Sequence, residues 1–335
     1  MLQQHPYSPN TPQQDSAELR STGYVVGADI GGTNLRLALA DSTGAVVAKW
    51  SASTIGIRDP NVVVTMVSEG VEAMLQQTSI PRNALDAIAA GAPGVTDANR
   101  GIVIATSYLM GWRDVPLRAL LETALGVPAA IDNDVNVAAI GESWAGAAQE
   151  TLDFVFLAVG TGIGAGIILN GQIFRGHGWT AGEVGYLLVP GTSEAPVERG
   201  KPGALEAIVG GEGIQEQWQA HWSEASTPLP KSATATQIFD HALEHNPLAQ
   251  QVLENAARTL AYAIYNISLI LNCPLFVLGG GVGMHPALRD ATERVLAQRS
   301  ARVQPQLVLS ALGSEAQLIG AIRLALQTAD SRAAL

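Results

Sequence analysis

The 335-residue chain contains a single cysteine, Cys273. One thiol closes no internal disulfide and builds no cysteine-based zinc site, which removes disulfide-stapled scaffolds and zinc ribbons from consideration. Its setting, Leu-Asn-Cys-Pro-Leu-Phe, reads as a buried small hydrophobe. Charge is sparse too: 15% of residues are charged, and 30 acids outnumber 19 bases for a formal net charge of −11. An acidic chain with no Lys/Arg cluster repels phosphate backbones, so no nucleic-acid partner is expected. The longest apolar helix candidate, residues 252–272, is interrupted by Arg258, Asn266 and Ser268. That suits a buried core helix rather than a membrane span, and no membrane partner is expected. Residues 1–22 are polar, rich in Gln, Pro and Ser, and carry no apolar h-region. They read as a flexible tail, not a signal peptide, and the expected location is cytoplasmic. Walker A, nucleophile-elbow and zinc-protease strings are all missing, which excludes a P-loop kinase and the corresponding hydrolases.

What is present is apolar sequence, 47% of the chain, and 35 glycines, many of them clustered beside apolar runs. The length exceeds what one core usually organises, so two domains are expected. Tyr24 to Asp29, Leu35 to Ala40 and Ala45 to Trp50 read as three strands joined by Gly31-Gly32 and the turn Asp41–Gly44. Val62, Val63, Met66, Val67, Val71, Met74 and Leu75 mark one face of a helix over about 60–78. A strand over Ala87–Ala92 ends at Pro93-Gly94, and a helix over Leu117–Leu125 stops at Gly126. A strand over Ala129–Asp132 leads into Asn133-Asp134 and a helix to about Ala148. The pattern then restarts: strand Phe154–Val159, a glycine-rich turn Gly160–Gly166, strand Ile167–Asn170 and the hairpin signal Asn170-Gly171. A strand over Leu275–Leu278 meets Gly279-Gly280-Gly281, and a helix over about Ser314–Gln327 closes the chain. Two similar halves imply a duplicated α/β domain with a ligand cleft between the copies.

Five segments are candidates for chemistry. Asp29-Ile-Gly31-Gly32-Thr33 offers backbone N–H groups and a hydroxyl for phosphate, with a carboxylate for Mg²⁺ directly or through water. Alone it is equally an ordinary capped hairpin. Gly160-Thr161-Gly162 opens a string resembling a dinucleotide fingerprint, but a strand follows where that fold requires a helix. A second phosphate-gripping hairpin explains it better. Gly280 and Gly281, at the end of a strand, suit the approach of a nucleotide or simply a tight turn. Asp132-Asn133-Asp134-Val-Asn136 places polar groups between a buried strand and an apolar helix. They serve as helix caps, or they face a cleft where a carboxylate takes a proton from an attacking hydroxyl. Glu183 and Glu206 are acceptors suited to sugar hydroxyls, or solvated surface groups. His241 and His245, four apart, have metal spacing but no third ligand nearby, and read as a solvated helix face.

In this order the segments resemble the ROK family (repressors, open reading frames and sugar kinases), in its bacterial glucokinase-like branch. The resemblance runs from about Tyr24 to Gln327 and includes Leu278-Gly-Gly-Gly281 and Leu312-Gly through Leu318-Ile-Gly-Ala321. It implies an α/β actin-like (ribonuclease H-like) fold, ATP and Mg²⁺ as cofactors, a hexose substrate and a homodimer. It implies Asp134 as general base, with Pro93, Gly94, Ser107, Asn133, Glu183 and Glu206 around the sugar. Asp29, Gly31, Gly32, Thr33, Gly160, Thr161, Gly162, Gly280 and Gly281 would hold the nucleotide, with Asp29 toward Mg²⁺. The expected division is a tail over 1–22, an N-terminal domain over 23–134 with the helix 314–328 packed back on it, and a C-terminal domain over 135–313. Two departures stand out. Tyr186 occupies a position where many relatives carry a zinc-ligating His, and the loop from Pro190 to Pro202 has no cysteine, so no zinc site is expected. The N-terminal segment does not provide the helix-turn-helix of the family's repressors. The expected reaction is ATP-dependent phosphorylation of a hexose 6-hydroxyl, glucose first. Fructose, mannose, N-acetylglucosamine or N-acetylmannosamine, polyphosphate as donor, and a catalytically silent sugar-binding regulator remain as alternatives.

Overall fold

A computed structural model describes residues 23–106, 109, 111–197, 201–224, 227–299 and 304–333. The expected N-terminal tail and Ser107 lie outside the described residues. The chain starts with strands β1 (Tyr24–Ile30), β2 (Asn34–Asp41) and β3 (Val46–Ser53), followed by helix α1 (Pro60–Thr78) and strand β4 (Leu85–Ala92). A small flap of β5 (Val95–Asp97), β6 (Ile102–Ala105) and β7 (Arg113–Val115) leads to helix α2 (Leu117–Leu125), strand β8 (Ala129–Asn133) and helix α3 (Asp134–Ala145). The order then repeats with β9 (Phe154–Val159), β10 (Ile163–Leu169) and β11 (Gln172–Ile173). Helices α4 (Glu206–Val209), α5 (Gly211–His221), α6 (Ala235–Leu243) and α7 (Pro247–Leu271) precede β12 (Leu275–Gly279). Helix α8 (Pro286–Leu296), β13 (Gln306–Leu309) and helix α9 (Ala316–Ala333) complete it.

The two halves build the same sheet. The first runs β3-β2-β1-β4-β8 and the second β11-β10-β9-β12-β13. In each, a three-strand antiparallel meander is extended by two parallel strands. Local chemistry agrees with this course. Helix α1 begins at Pro60 behind the cap Asp59, whose carboxylate accepts from the Asn61 N–H, and buries Val63, Val67, Val71 and Met74 on one face. The long α7 starts the same way, with Pro247 behind the cap Asn246.

One expected feature is corrected. The glycine-rich turn is confined to residues 160–162, and β10 already starts at Ile163. Gly164 and Gly166 are strand residues on which α3 rests: a Cβ on Gly166 would come within 2.6 Å of the Ala139 Cβ and 2.8 Å of the Val135 carbonyl oxygen. Their missing side chains serve helix-on-sheet packing rather than a bend.

Helices α3 and α9 exchange places. Helix α3 leaves the first sheet yet packs Ala138 and Ala139 against Phe154, Phe156 and Ile168 of the second. Helix α9 leaves the second sheet yet packs Leu318, Ile322 and Ala325 against Val25, Ala38, Ala87 and Ala89 of the first. Where they cross, glycine faces glycine. A Cβ on Gly320 would lie 1.8 Å from the Val137 carbonyl oxygen, and one on Gly141 2.3 Å from the Ala316 carbonyl oxygen. Beside the crossing, the fully buried Glu142 accepts from the Ser310 hydroxyl and from the N–H groups of Ala147 (2.7 Å), Leu312 (3.1 Å) and Ala311 (3.3 Å).

Candidate active site

Parallel strands put their carboxyl ends together, and in open α/β sheets that edge is where ligands bind. Asp29 on β1 stands beside Gly91 on β4, and Gly91 beside Asp132 on β8. Asp134 then opens α3. The Asn133 side chain caps this helix, accepting from the N–H groups of Val135 (2.9 Å) and Asn136 (3.1 Å). Its amide nitrogen donates to the Gly94 carbonyl (2.9 Å), which ties the cap to the Pro93-Gly94 turn. Gly94 has φ +96°, and a Cβ there would meet the Ala105 carbonyl oxygen at 2.2 Å, so the flap lies directly against this turn. Asn133 was expected at the sugar; most of its hydrogen-bonding capacity is spent on the cap.

The Asp134 carboxylate is partly buried, and its pKa is raised to about 6. Burial is the main cause and the neighbouring Asp29 carboxylate the next. Glu183 adds to the rise, and the Val135 N–H, 2.9 Å from Oδ1, opposes it. Glu183 itself is pushed up by burial and by Glu206. Glu206, the first residue of α4, accepts the Ile163 N–H at 3.0 Å. The next residue of that strand, Gly164, packs on Val135. The start of β10 therefore joins the Glu206 carboxylate to the first turn of α3, and Asp134, Glu183 and Glu206 converge on one region.

Asp29 is held by Arg36 of β2, whose Nη2 and Nε reach Oδ2 at 2.6 and 2.9 Å. Burial raises the Asp29 pKa, with Arg36 opposing. The neighbouring hairpin tip is pinned by Thr54. Its hydroxyl donates to the Gly31 carbonyl (2.7 Å), and its N–H to the Thr33 carbonyl (2.9 Å). Gly32 and the exposed Thr33 form the tip between them. The second hairpin is tied to α5: the N–H groups of Gly211 and Glu212 donate to the carbonyls of Gly160 (2.8 Å) and Thr161 (3.2 Å), with Gly162 closing the turn onto the Gly160 N–H. The Gly280-Gly281 turn lies alongside, where Val282 and Gly283 N–H groups share the Val159 carbonyl (3.0 and 2.9 Å). The glycines expected at the nucleotide thus fall into two groups, one at the first sheet and one at the second. Among the described residues no hydrogen bond joins the two hairpin tips.

Among the described residues no group of three or more His, Cys, Asp or Glu side chains could hold a metal ion. A magnesium ion that arrives on phosphates needs only one or two protein carboxylates. Asp29 fits that demand, because the Arg36 pair occupies Oδ2 alone. Of the two histidines, His245 is exposed as expected, past the end of α6, and His241 is corrected. His241 is mostly buried, with its ring nitrogens on Thr227 (2.9 Å) and Glu244 (2.8 Å), so it fastens a loop to α6. Sequence reasoning missed Arg36 and also Arg175, which pairs with Asp132. Their only signal was the rarity of cations in the chain, since each partner is set by tertiary structure.

Comparison with known proteins gives concordant results. The sequence profile of the ROK family matches residues 25–328. A glucokinase of Halalkalibacterium halodurans is 30% identical over 311 residues, covering 90% of this chain and 94% of that protein. An N-acetylmannosamine kinase of Escherichia coli O7:K1 is 32% identical over 310 residues, covering 89% and 97%. The crystal structure of a ROK family glucokinase from Streptomyces griseus, in complex with glucose and AMPPNP, superposes with a TM-score of 0.74 at 25% identity, covering 91% of this chain and all of that one.

Proposed function

The chain belongs to the ROK family of sugar kinases, with its actin-like α/β fold, and on that footing we propose that it transfers the γ-phosphoryl group of ATP to the 6-hydroxyl of a hexose, glucose first. The observation that carries this reading is the Asp134 carboxylate. It stands at the carboxyl end of the parallel strands β1, β4 and β8, with a pKa of about 6, beside the glutamates Glu183 and Glu206. The relatives are both glucokinases and N-acetylmannosamine kinases at near-equal identity, so glucose is chosen from the branch resemblance alone.

In this reading Glu183 and Glu206 accept hydrogen bonds from sugar hydroxyls. Asp134 takes the proton of the 6-hydroxyl as its oxygen bonds to the γ-phosphorus. The bond between that phosphorus and the bridging oxygen breaks, and ADP leaves with the electron pair. Gly31, Gly32 and Thr33 on one side, and Gly160, Thr161 and Gly162 on the other, present hairpin tips to the phosphates. Gly280 and Gly281 adjoin the nucleoside. Magnesium, when bound with ATP, would neutralise charge on the phosphate oxygens, and Asp29 would hold it. Pro93, Gly94 and the flap wall the sugar side.

The test is sugar-dependent ADP release with Mg-ATP across glucose, mannose, fructose, N-acetylglucosamine and N-acetylmannosamine. Release with one of them identifies the substrate. Sugar binding without release from any would favour a silent regulator. The acid limb of kcat/KM provides a second check. The base works only when ionised, so activity is expected above pH about 6 and should be lost as pH falls through that value. The groups facing Asp134 are the Asp29 and Glu183 carboxylates, both of which push in this direction. A limb near the ordinary 3.8 would remove Asp134 from the role.

A further inference from the structure

We infer that Arg175 is a positioning residue for Asp134, a role that rests on the kinase reading above. Arg175 lies just past β11, an edge strand of the second sheet, while Asp132 is on β8, an edge strand of the first. The guanidinium crosses between them. Its Nη2 and Nε approach Asp132 Oδ2 at 2.6 and 2.8 Å, and the Asp132 side chain is 1% exposed.

The remaining oxygen of Asp132 is spent on the segment that carries the base. Oδ1 accepts the Asn133 N–H (2.8 Å) and the Asn136 side-chain amide (3.0 Å). Asn133 in turn caps α3 through Val135 and Asn136 and fastens to Gly94. Residues 132, 133 and 136 therefore frame Asp134 on both sides, and the frame is neutralised from the opposite sheet by Arg175. The Arg175 backbone is tied into the loop that leads to Glu183, its carbonyl accepting the Ala181 N–H (3.3 Å).

Removing the guanidinium strands a carboxylate with almost no access to water, which is strongly unfavourable. Asp132 then turns toward the space the guanidinium vacates, which releases the Asn133 N–H and the Asn136 amide from Oδ1, and the first turn of α3 loses its register. Displacing a base by about 1 Å is enough to cost about 10²-fold in rate. Substrate contacts made by Glu183 and Glu206 need not change, so the defect belongs in kcat. Geometry also provides a way to reverse it. Arg175 lines a cavity of about 590 Å³ together with Trp144, Gln172, Arg323 and Gln327. Truncation to alanine extends that cavity toward Asp132, and free guanidinium has the size and charge of the group removed.

The experiment compares the full-length protein with Arg175→Ala and Arg175→Lys, using the sugar on which the parent is most active. Parent turnover measured in the same plate tests the kinase reading by itself, and the Arg175 inference is judged on ratios to it. Expected for Arg175→Ala is a loss in kcat of about 10²-fold with a sugar KM within about threefold. Guanidinium chloride at tens of millimolar should recover part of that loss, whereas sodium or tetramethylammonium chloride at equal ionic strength should not. Arg175→Lys, which keeps the charge, should retain more turnover than Arg175→Ala, and it carries the test if the alanine variant does not fold. A near-normal kcat in Arg175→Ala would overturn the inference, and where that variant does not fold, an unchanged kcat in Arg175→Lys would do so. So would a loss confined to KM, or a folded alanine variant indifferent to guanidinium.

Discussion

Asp134→Asn should lower turnover by about 10²–10⁴-fold while leaving sugar binding in place. Asparagine keeps an acceptor for the Val135 N–H that now meets Asp134 Oδ1 at 2.9 Å, so the first turn of α3 is preserved and only the proton acceptor is lost. The raised pKa adds a second expectation. A carboxyl that holds its proton more tightly in the folded state than in the unfolded one loses folding stability as pH rises through the interval between 3.8 and about 6. At neutral pH the charge on Asp134 is therefore a cost to the fold, and the neutral asparagine removes it. The variant should be inactive and at least as stable as its parent, a combination that general structural damage does not produce. Coupled ADP release, calorimetric sugar binding and a thermal melt check the three parts. Turnover near the parent's would show that another group takes the proton.

The second large effect is on stability. Glu142→Ala would leave four donors without their acceptor: the Ser310 hydroxyl and the N–H groups of Ala147, Ala311 and Leu312. A stranded donor costs about 1–3 kcal/mol where it is buried, as the Ser310 hydroxyl is, and less at the three part-buried N–H groups. A net loss above about 3 kcal/mol is expected, out of a folding stability typically about 5–15 kcal/mol. Glu142→Gln should fall between, because it keeps one oxygen acceptor and replaces the other with a donor. Urea titration monitored by tryptophan fluorescence measures the difference. A change below about 1 kcal/mol for the alanine variant would mean that water substitutes for the carboxylate at the crossing.

Local chemistry was the part of this protein that the chain order disclosed. The apolar runs at Tyr24–Ile30 and Phe154–Val159, each ending at glycines, announced two copies of one sheet, and both are there. Asp134 stands out in the sequence as a candidate because a carboxylate at a strand-to-helix junction either caps the helix or faces a cleft, and the cap is its neighbour Asn133. Gly164 and Gly166 misled because a glycine that admits a helix and a glycine that makes a bend look alike in one dimension. Arg36, Arg175 and Glu142 were not legible as functional or structural groups. Arg175 and Asp132 are 43 positions apart, and Glu142 and Ser310 are 168 apart. Nothing in a single chain says which distant polar group answers which. Ser107, expected beside the sugar, lies outside the described residues.

The exchange of α3 and α9 bears on how such a chain can arise. Each half makes a sheet but gives its last helix away, so a half-length product would leave the apolar side formed by Val25, Ala38, Ala87 and Ala89 bare. A second copy would have to lend its own helix in return. A symmetric pair of short chains trading helices would cover both sheets in the same way. Within one chain that trade is intramolecular, and the two helices are free to differ: α3 opens with an acid and α9 with alanine.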